Sequence, residues 1–226
     1  HGVTGSGKTE VYLSITEWLL KKGKQVLVLV PEIGLTPQMI ARFEQRIKDK
    51  VVAVHSQLNE TQKQDAYLMA KSGKAKVILG TRSAIFTPIP KLGLVIVDEE
   101  HDGSFKQQSN FRYSARDLSF MRAKLANIPL ILGTATPSLE TLKNVVDQKL
   151  TRLVLSSRPG GATLPEINLI DMRSQASEAL SIPLVSKMEH YLKEDKQVML
   201  FINRRGYAPV FYCTECDWRA ECNNCD

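Results

Sequence analysis

Apolar residues return along the first 156 positions in two alternating rhythms. Short runs of aliphatic and β-branched residues at 25–30, 51–55, 76–80, 94–98, 130–133 and 151–155 have the length and density of buried strands. Between them, apolar residues recur at intervals of three and four, the spacing of one helix face. The first such helix follows residue 9, with Val11, Tyr12, Ile15, Trp18 and Leu19 on one side and Gly23 as its stop. Thr36 before Pro37 sets an N-cap and an N1 proline ahead of Ile40, Phe43 and Ile47. Asn59 with Gln62 is a capping pair for a helix running to about Ser72, and Ser114 with Asp117 opens another. A further helix is expected near 139–147.

Strand and helix in alternation predict an α/β domain with a mainly parallel sheet. Ser156-Ser157-Arg158-Pro159-Gly160-Gly161 fits neither a helix nor a sheet interior and marks a break. The expected organisation is a first unit over 1–157, a linker over 158–165 and the start of a second α/β unit over 166–212. That second unit has strand-like runs at 166–170 and 197–202 and a helical pattern near 183–194, and a cysteine-bearing region follows at 213–226.

With 226 residues, 43% of them hydrophobic and 24% charged, the chain can bury real cores, and no apolar run approaches 18 residues. A disordered chain and a membrane-spanning helix are thereby excluded. The net charge of +6 is uneven: residues 1–157 hold 22 basic and 14 acidic side chains, residues 158–226 hold 8 and 10. A surplus confined to the first unit suits either a polyanionic partner or an ordinary solvated surface. All four cysteines lie between Cys213 and Cys225, which suits a metal site in a reducing compartment better than disulfides. The chain begins at His1 and meets a phosphate-loop motif at Gly2, so it is expected to be an internal piece of a longer protein without its first strand.

Gly2-Val3-Thr4-Gly5-Ser6-Gly7-Lys8-Thr9 fits G-x-x-x-x-G-K-[ST] and runs straight into a helix. Glycines let backbone N–H groups wrap a phosphate, and the helix N-terminus adds a positive dipole end. Gly2, Gly5, Ser6, Gly7, Lys8 and Thr9 are therefore candidate nucleotide-binding residues. Lys8 would reach the β- and γ-phosphates and the Thr9 hydroxyl would ligate Mg2+. The bland alternative is a glycine-rich turn that binds nothing. Asp98, Glu99, Glu100 and His101 follow an apolar strand, at the end where ligands of open α/β sheets bind. Asp98 suits Mg2+ and Glu99 suits polarising an attacking water, unless the turn is merely solvated.

Asp98-Glu99-Glu100-His101 resembles the Asp-Glu-x-His box of superfamily 2 helicases and translocases. Gly133-Thr134-Ala135-Thr136-Pro137-Ser138, again after an apolar strand, resembles the motif by which that superfamily couples hydrolysis to lobe movement. The resemblance implies a RecA-like P-loop helicase lobe, then the incomplete start of a second lobe with zinc-binding cysteines. It further implies that His101 touches the segment bearing Thr134 and Thr136 and relays the state of the γ-phosphate. Thr136 before Pro137 also reads as an N-cap. Pro31-Glu32-Ile33-Gly34-Leu35-Thr36-Pro37-Gln38, Gly80-Thr81-Arg82-Ser83-Ala84, Lys106-Gln107-Gln108 and Arg112-Tyr113-Ser114-Ala115-Arg116-Asp117-Leu118 are similar to the replication-restart DNA helicases within that superfamily. The likeness extends over essentially all 226 residues.

Thr36, Gln38, Thr81 and Arg82 are expected at helix starts or loop ends, where hydroxyls, amides and charge can meet the phosphates of a DNA strand. Residues 105–116 interleave Phe105, Phe111 and Tyr113 with Lys106, Arg112 and Arg116, a composition suited to stacking on unpaired bases. Arg82, Lys106, Arg112 and Arg116 are all expected near DNA, although one or two of the aromatics fit equally as core anchors. By resemblance this loop senses single-stranded DNA and communicates with the ATP site. Arg204, Arg205 and Tyr207 would begin the second lobe's cleft-facing motif, or form a solvated basic turn.

Cys213-x2-Cys216 and Cys222-x2-Cys225 each have the form of a zinc knuckle, with free thiols as the alternative. The resemblance implies two more pairs downstream and two Zn2+ ions, each pair here serving a different ion. The resemblance as a whole implies an ATP-dependent 3′→5′ DNA helicase of the bacterial cytoplasm. It would act on single-stranded and forked DNA in primosome assembly and replication restart, beside single-stranded-DNA-binding protein and other primosome proteins, with no membrane role. This piece alone is expected to be inactive, because hydrolysis draws on both lobes. The alternatives are another superfamily 2 translocase, such as a restriction or repair motor, or a zinc-bearing nucleic-acid-binding module with a vestigial ATP site.

Overall fold

Five parallel strands build the sheet of the unit His1–Thr163 in the computed structural model, which describes residues 1–159, 165–172, 180–201, 215, 216 and 218. In chain order the strands are β1 (Gln25–Leu29), β2 (Val51–Val54), β3 (Val77–Gly80), β4 (Leu92–Asp98), a small antiparallel hairpin of β5 (Lys106–Gln107) and β6 (Tyr113–Ser114), and β7 (Leu130–Gly133). The sheet order β2-β3-β1-β4-β7 places β1 at the centre. The helices are α1 (Lys8–Lys21), α2 (Pro37–Arg46), α3 (Glu60–Lys71), α4 (Ala115–Ala126) and α5 (Leu139–Val146).

Successive residues of a strand face opposite sides, so the sheet feeds two cores. Val26, Val28, Leu94 and Ile96 pack with Tyr12, Leu13 and Leu19 of α1 and Phe43 of α2. Leu27, Leu29, Ile78, Val95 and Val97 pack on the other face with Ala66 and Ala70 of α3, with Ala115 of α4 and with Phe105, which lies just before β5. Burial on both faces is why these strands read as unbroken apolar runs. The one polar residue of β1, Gln25, is fully buried and satisfied: Nε2 donates to the Ala70 and Ala75 carbonyls at 3.0 and 2.7 Å, and Oε1 accepts from Lys91 N–H at 3.2 Å. The helix starts follow their caps: Thr36 Oγ1 accepts from Met39 N–H, Ser114 Oγ from Asp117 N–H, and Asn59 and Gln62 close a reciprocal capping box.

Two expectations for this unit are corrected. The buried stripe of α1 is Tyr12, Leu13, Thr16 and Leu19, while Val11 and Trp18 are exposed and Lys22 Nζ lies 3.5 Å from the Trp18 ring centre. A polar Thr16 sits inside the stripe, so hydropathy alone centred the face wrongly. Residues 151–155 form no strand: Leu155 N–H donates to the His1 carbonyl at 2.8 Å and bridges Gly2, but Leu153 and Val154 are exposed. A strand needs a ladder of partners, and among the described residues the backbone of this segment pairs only with His1 and Gly2.

In the unit Leu164–Asp226 the helix α6 (Ile182–Lys193) is capped by Ser181 Oγ, which accepts from Leu184 N–H at 3.3 Å. The described residues of 166–170 and 197–201 form no strand, and Ile167, Leu169, Met199 and Phe201 are exposed. Arg204, Arg205 and Tyr207 lie outside the described residues. Among the described residues no helix is long and apolar enough to cross a membrane.

Candidate functional site

Gly5 and Gly7 adopt left-handed backbone, with φ of 80° and 87°, and Gly7 is the N-cap of α1. A side chain at either would be strained, so the sharp entry to the helix depends on glycine. At Gly2 the reason is space, since a Cβ there would collide with Ser6 Oγ and crowd Leu155. Lys8 Nζ folds back over the loop, donating to the Gly2 carbonyl at 3.0 Å and lying 3.5 Å from Glu99 Oε1. Thr9 is half-buried in the first turn of α1. Ser6 Oγ is buried and has no hydrogen-bond partner among the described residues. Left-handed glycines, an open helix N-terminus, an ammonium group and an orphaned hydroxyl together fit a bound phosphate chain.

Asp98 ends β4, and its Oδ1 accepts a 2.9 Å hydrogen bond from the Tyr12 hydroxyl. Burial raises the Asp98 carboxyl above its ordinary pKa; the Tyr12 bond opposes that shift and the Glu99 charge reinforces it. Burial and the neighbouring carboxylate likewise raise the Tyr12 phenol. The contact exists because β7 ends in Gly133, where a Cβ would overlap the Tyr12 hydroxyl and approach Asp98 Oδ1 at 3.2 Å. Glu99 turns the chain off the strand with φ of 46°, a conformation that costs a side-chain-bearing residue about 1–2 kcal/mol. Its carboxylate comes to rest between Lys8 Nζ and His101 Nδ1, at 3.5 and 3.7 Å.

The His101 ring is exposed, with Nδ1 2.8 Å from Thr134 Oγ1. The same Thr134 oxygen accepts from Thr136 N–H at 3.0 Å, and the Thr134 carbonyl accepts from Gly2 N–H at 3.0 Å. One buried threonine thus touches the acidic box, its own turn and the start of the phosphate loop. Thr136 is exposed and caps no helix; Ser138 caps α5 instead, accepting from Thr141 N–H at 3.3 Å.

Glu100 is buried, and its carboxylate is filled by protein donors. Ser138 N–H reaches Oε1 at 2.8 Å, while Ser138 Oγ, Thr141 Oγ1 and Arg116 Nη1 reach Oε2 at 3.0, 2.9 and 3.3 Å. Arg116 is therefore inside the protein, against the expectation that it faces DNA, because this carboxylate draws it there. Sequence reading missed both this pair and Tyr12. One signal was present: a cation in the first turn of a helix opposes the helix dipole, so Arg116 required another partner.

The remaining candidates group near the hairpin. Thr36 and Gln38 are exposed at the start of α2. Thr81 is buried at the start of the short 3-10 helix Arg82–Phe86, and Arg82 Nη1 donates to the Ser104 carbonyl at 3.2 Å. Arg122 of α4 fixes that 3-10 segment by donating to the Ile85 and Thr87 carbonyls. Thr81, Arg82, Gln107 and Tyr113 share the lining of a cavity of about 160 Å³ with Glu32, which accepts from Ser56 Oγ at 3.0 Å. Phe105 is a core anchor, 1% exposed, whereas Phe111 is 73% exposed. Tyr113 stands between Phe86 and Phe111, with ring centres 5.0 and 5.9 Å away, and Lys106 and Arg112 are exposed beside it. Cys216 is exposed and has no disulfide partner among the described residues; Cys213, Cys222 and Cys225 lie outside them. Among the described residues no three His, Cys, Asp or Glu side chains are grouped to hold a metal ion.

A family model described as DEAD/DEAH box helicase matches residues 1–145. Over its whole length the chain is 50% identical to the replication restart protein PriA of Haemophilus influenzae, 46% to that of Synechocystis and 40% to that of Bacillus subtilis. It spans 31%, 28% and 29% of those proteins. A weaker likeness is to the structure of RecG bound to a three-way DNA junction: 20% identity and a TM-score of 0.47, over 72% of this chain and 21% of that one.

Proposed function

Because this chain belongs to the DEAD/DEAH box helicase family, we propose that it is the ATP-binding motor lobe of a DNA helicase that acts in replication restart. Its parallel α/β unit fits a RecA-like lobe. The observation that carries the reading is the convergence of Lys8, Asp98 and Glu99 at the C-terminal end of β4, with Lys8 Nζ 3.5 Å from Glu99 and His101 on Thr134.

Lys8 exchanges its bonds to the Gly2 carbonyl and Glu99 for phosphate oxygens of ATP, and Ser6 Oγ gains the partner it lacks. Glu99, released from Lys8, orients a water and accepts its proton. Asp98 and Thr9 are the side chains that would hold Mg2+, which when bound neutralises charge developing on the phosphates. His101 passes the position of Glu99 to Thr134 and, through it, to Thr136. Lys106, Phe111, Arg112 and Tyr113 take single-stranded DNA by stacking and charge, and Thr36, Gln38, Thr81 and Arg82 hold its phosphates without reading sequence. The identity of 50% and 40% to replication restart proteins supports the role in replication restart; forked DNA, a 3′→5′ direction, primosome partners and the bacterial cytoplasm are the setting that the resemblance of the motifs implies. The donor set of Cys213, Cys216, Cys222 and Cys225 supports Zn2+ ligation, completed by residues beyond this chain; metal analysis of the full-length protein checks it.

The reading is tested by ATP hydrolysis of the full-length protein with and without single-stranded DNA, beside strand displacement on a fork. Stimulated hydrolysis with displacement is expected. Hydrolysis without displacement makes the protein a translocase that does not unwind, and absent hydrolysis overturns the reading.

A further inference from the structure

Glu100 and Arg116 form the most enclosed ion pair among the described residues, their side chains 0% and 9% exposed, and the chemistry above leaves them without a task. Stability is a poor account of them. A buried pair recovers little more than the cost of taking two charges out of water, and well-packed apolar residues would serve as well. Arg116 also stands where the helix dipole disfavours a cation.

What the pair does have is position. Glu100 is the next residue after Glu99 in the acidic box, and its N–H donates to the Gly133 carbonyl at 3.1 Å. Arg116 lies in the first turn of α4, three residues after Tyr113 of the hairpin. Ser138 lies two residues after Thr136, and it meets both: Arg116 Nη1 donates to its oxygen at 2.8 Å, and that hydroxyl reaches Glu100 Oε2 at 3.0 Å. One buried carboxylate thus ties the acidic box, the base of the aromatic hairpin and the end of the threonine turn. With four protein donors on this carboxylate in a close-packed interior, a movement of any of the three segments shifts the others or leaves a buried polar group unpaired.

We propose that Glu100, Arg116 and Ser138 form the joint through which DNA on the hairpin and nucleotide on the phosphate loop alter each other's affinity, with Arg116 as a positioning residue. This rests on the reading of the chain as a DNA-stimulated ATPase lobe. Coupling between two sites is reciprocal, so it is read as the ratio of oligonucleotide affinities with and without bound nucleotide. That ratio is insensitive to a general loss of stability.

The experiment uses the full-length protein, a fluorescent oligothymidylate and a non-hydrolysable ATP analogue with Mg2+. In the parent the analogue is expected to change oligonucleotide affinity by about fivefold or more. In Glu100→Gln, which keeps size and hydrogen bonding but not charge, the ratio should fall close to one. Each ligand alone should still bind to within about twofold of the parent. Arg116→Lys, which keeps the charge and loses the guanidinium fork, should give an intermediate ratio. A parental ratio in either folded variant overturns the joint, as does a parent that binds both ligands without coupling. A parent that binds neither ligand overturns the functional reading itself.

Discussion

The hydroxyl of Tyr12 lies 2.9 Å from Oδ1 of Asp98, in space that exists because residue 133 is glycine. The first turns of α1 and the ends of β4 and β7 are locked by that contact. Gly133→Ala should drive the phenol off its seat and destabilise the protein by about 1–3 kcal/mol, the usual cost of overpacking a filled core. Tyr12→Phe should lose about 1 kcal/mol, the hydrogen bond alone. Denaturant unfolding measures both, and a parental midpoint for Gly133→Ala would show that the phenol is placed otherwise.

Phe111 and Tyr113 should separate. Phe111 is exposed and Tyr113 packs on Phe86, so Phe111→Ala should leave the thermal midpoint unchanged and weaken single-stranded DNA binding by about 1–3 kcal/mol, one stacked base. Tyr113→Ala should lower both. Neither should alter nucleotide affinity. Equal loss of nucleotide and DNA binding in Phe111→Ala would mean that the ring supports the fold.

Arg46 ties α2 to α1 by donating to both oxygens of Glu17, at 2.9 and 3.2 Å. Those bonds hold the Glu17 carboxyl below its ordinary value of 4.5. A folded-state pKa below the unfolded one gives stability that is present above the ordinary value and lost as pH falls through the depressed one. The increment is small, because the pair is exposed and screened by salt. Arg46→Gln should return Glu17 to its ordinary titration in a carbon-13 NMR experiment. An ordinary titration already in the parent would contradict the pairing.

The central strands were legible because both faces are buried, which leaves runs such as Val95, Ile96 and Val97 unbroken. The caps at Thr36, Asn59 and Ser114 were legible because each is a local bond. The phosphate loop and the acidic box could be found for the same reason, each being a short contiguous signal. What escaped is long-range or polar. The Tyr12 contact joins residues 86 apart, and Thr16 hides in an apolar stripe. The hairpin strands are two residues each and include Lys106 and Gln107, too short and polar for a periodicity to register. Residues 151–155 have strand composition, but composition does not supply a neighbouring ladder.

Glu99 offers the sharpest single measurement. ATP turnover of the full-length protein should rise with single-stranded DNA. In Glu99→Gln it should fall by about 10²–10⁴-fold while nucleotide still binds, as expected when the group that takes the water's proton is lost. In Lys8→Ala, nucleotide affinity itself should fall, since the ammonium that bridges the loop to Glu99 is gone. Stimulated turnover at the parental rate in Glu99→Gln would contradict the assignment of this site as the one where ATP is hydrolysed.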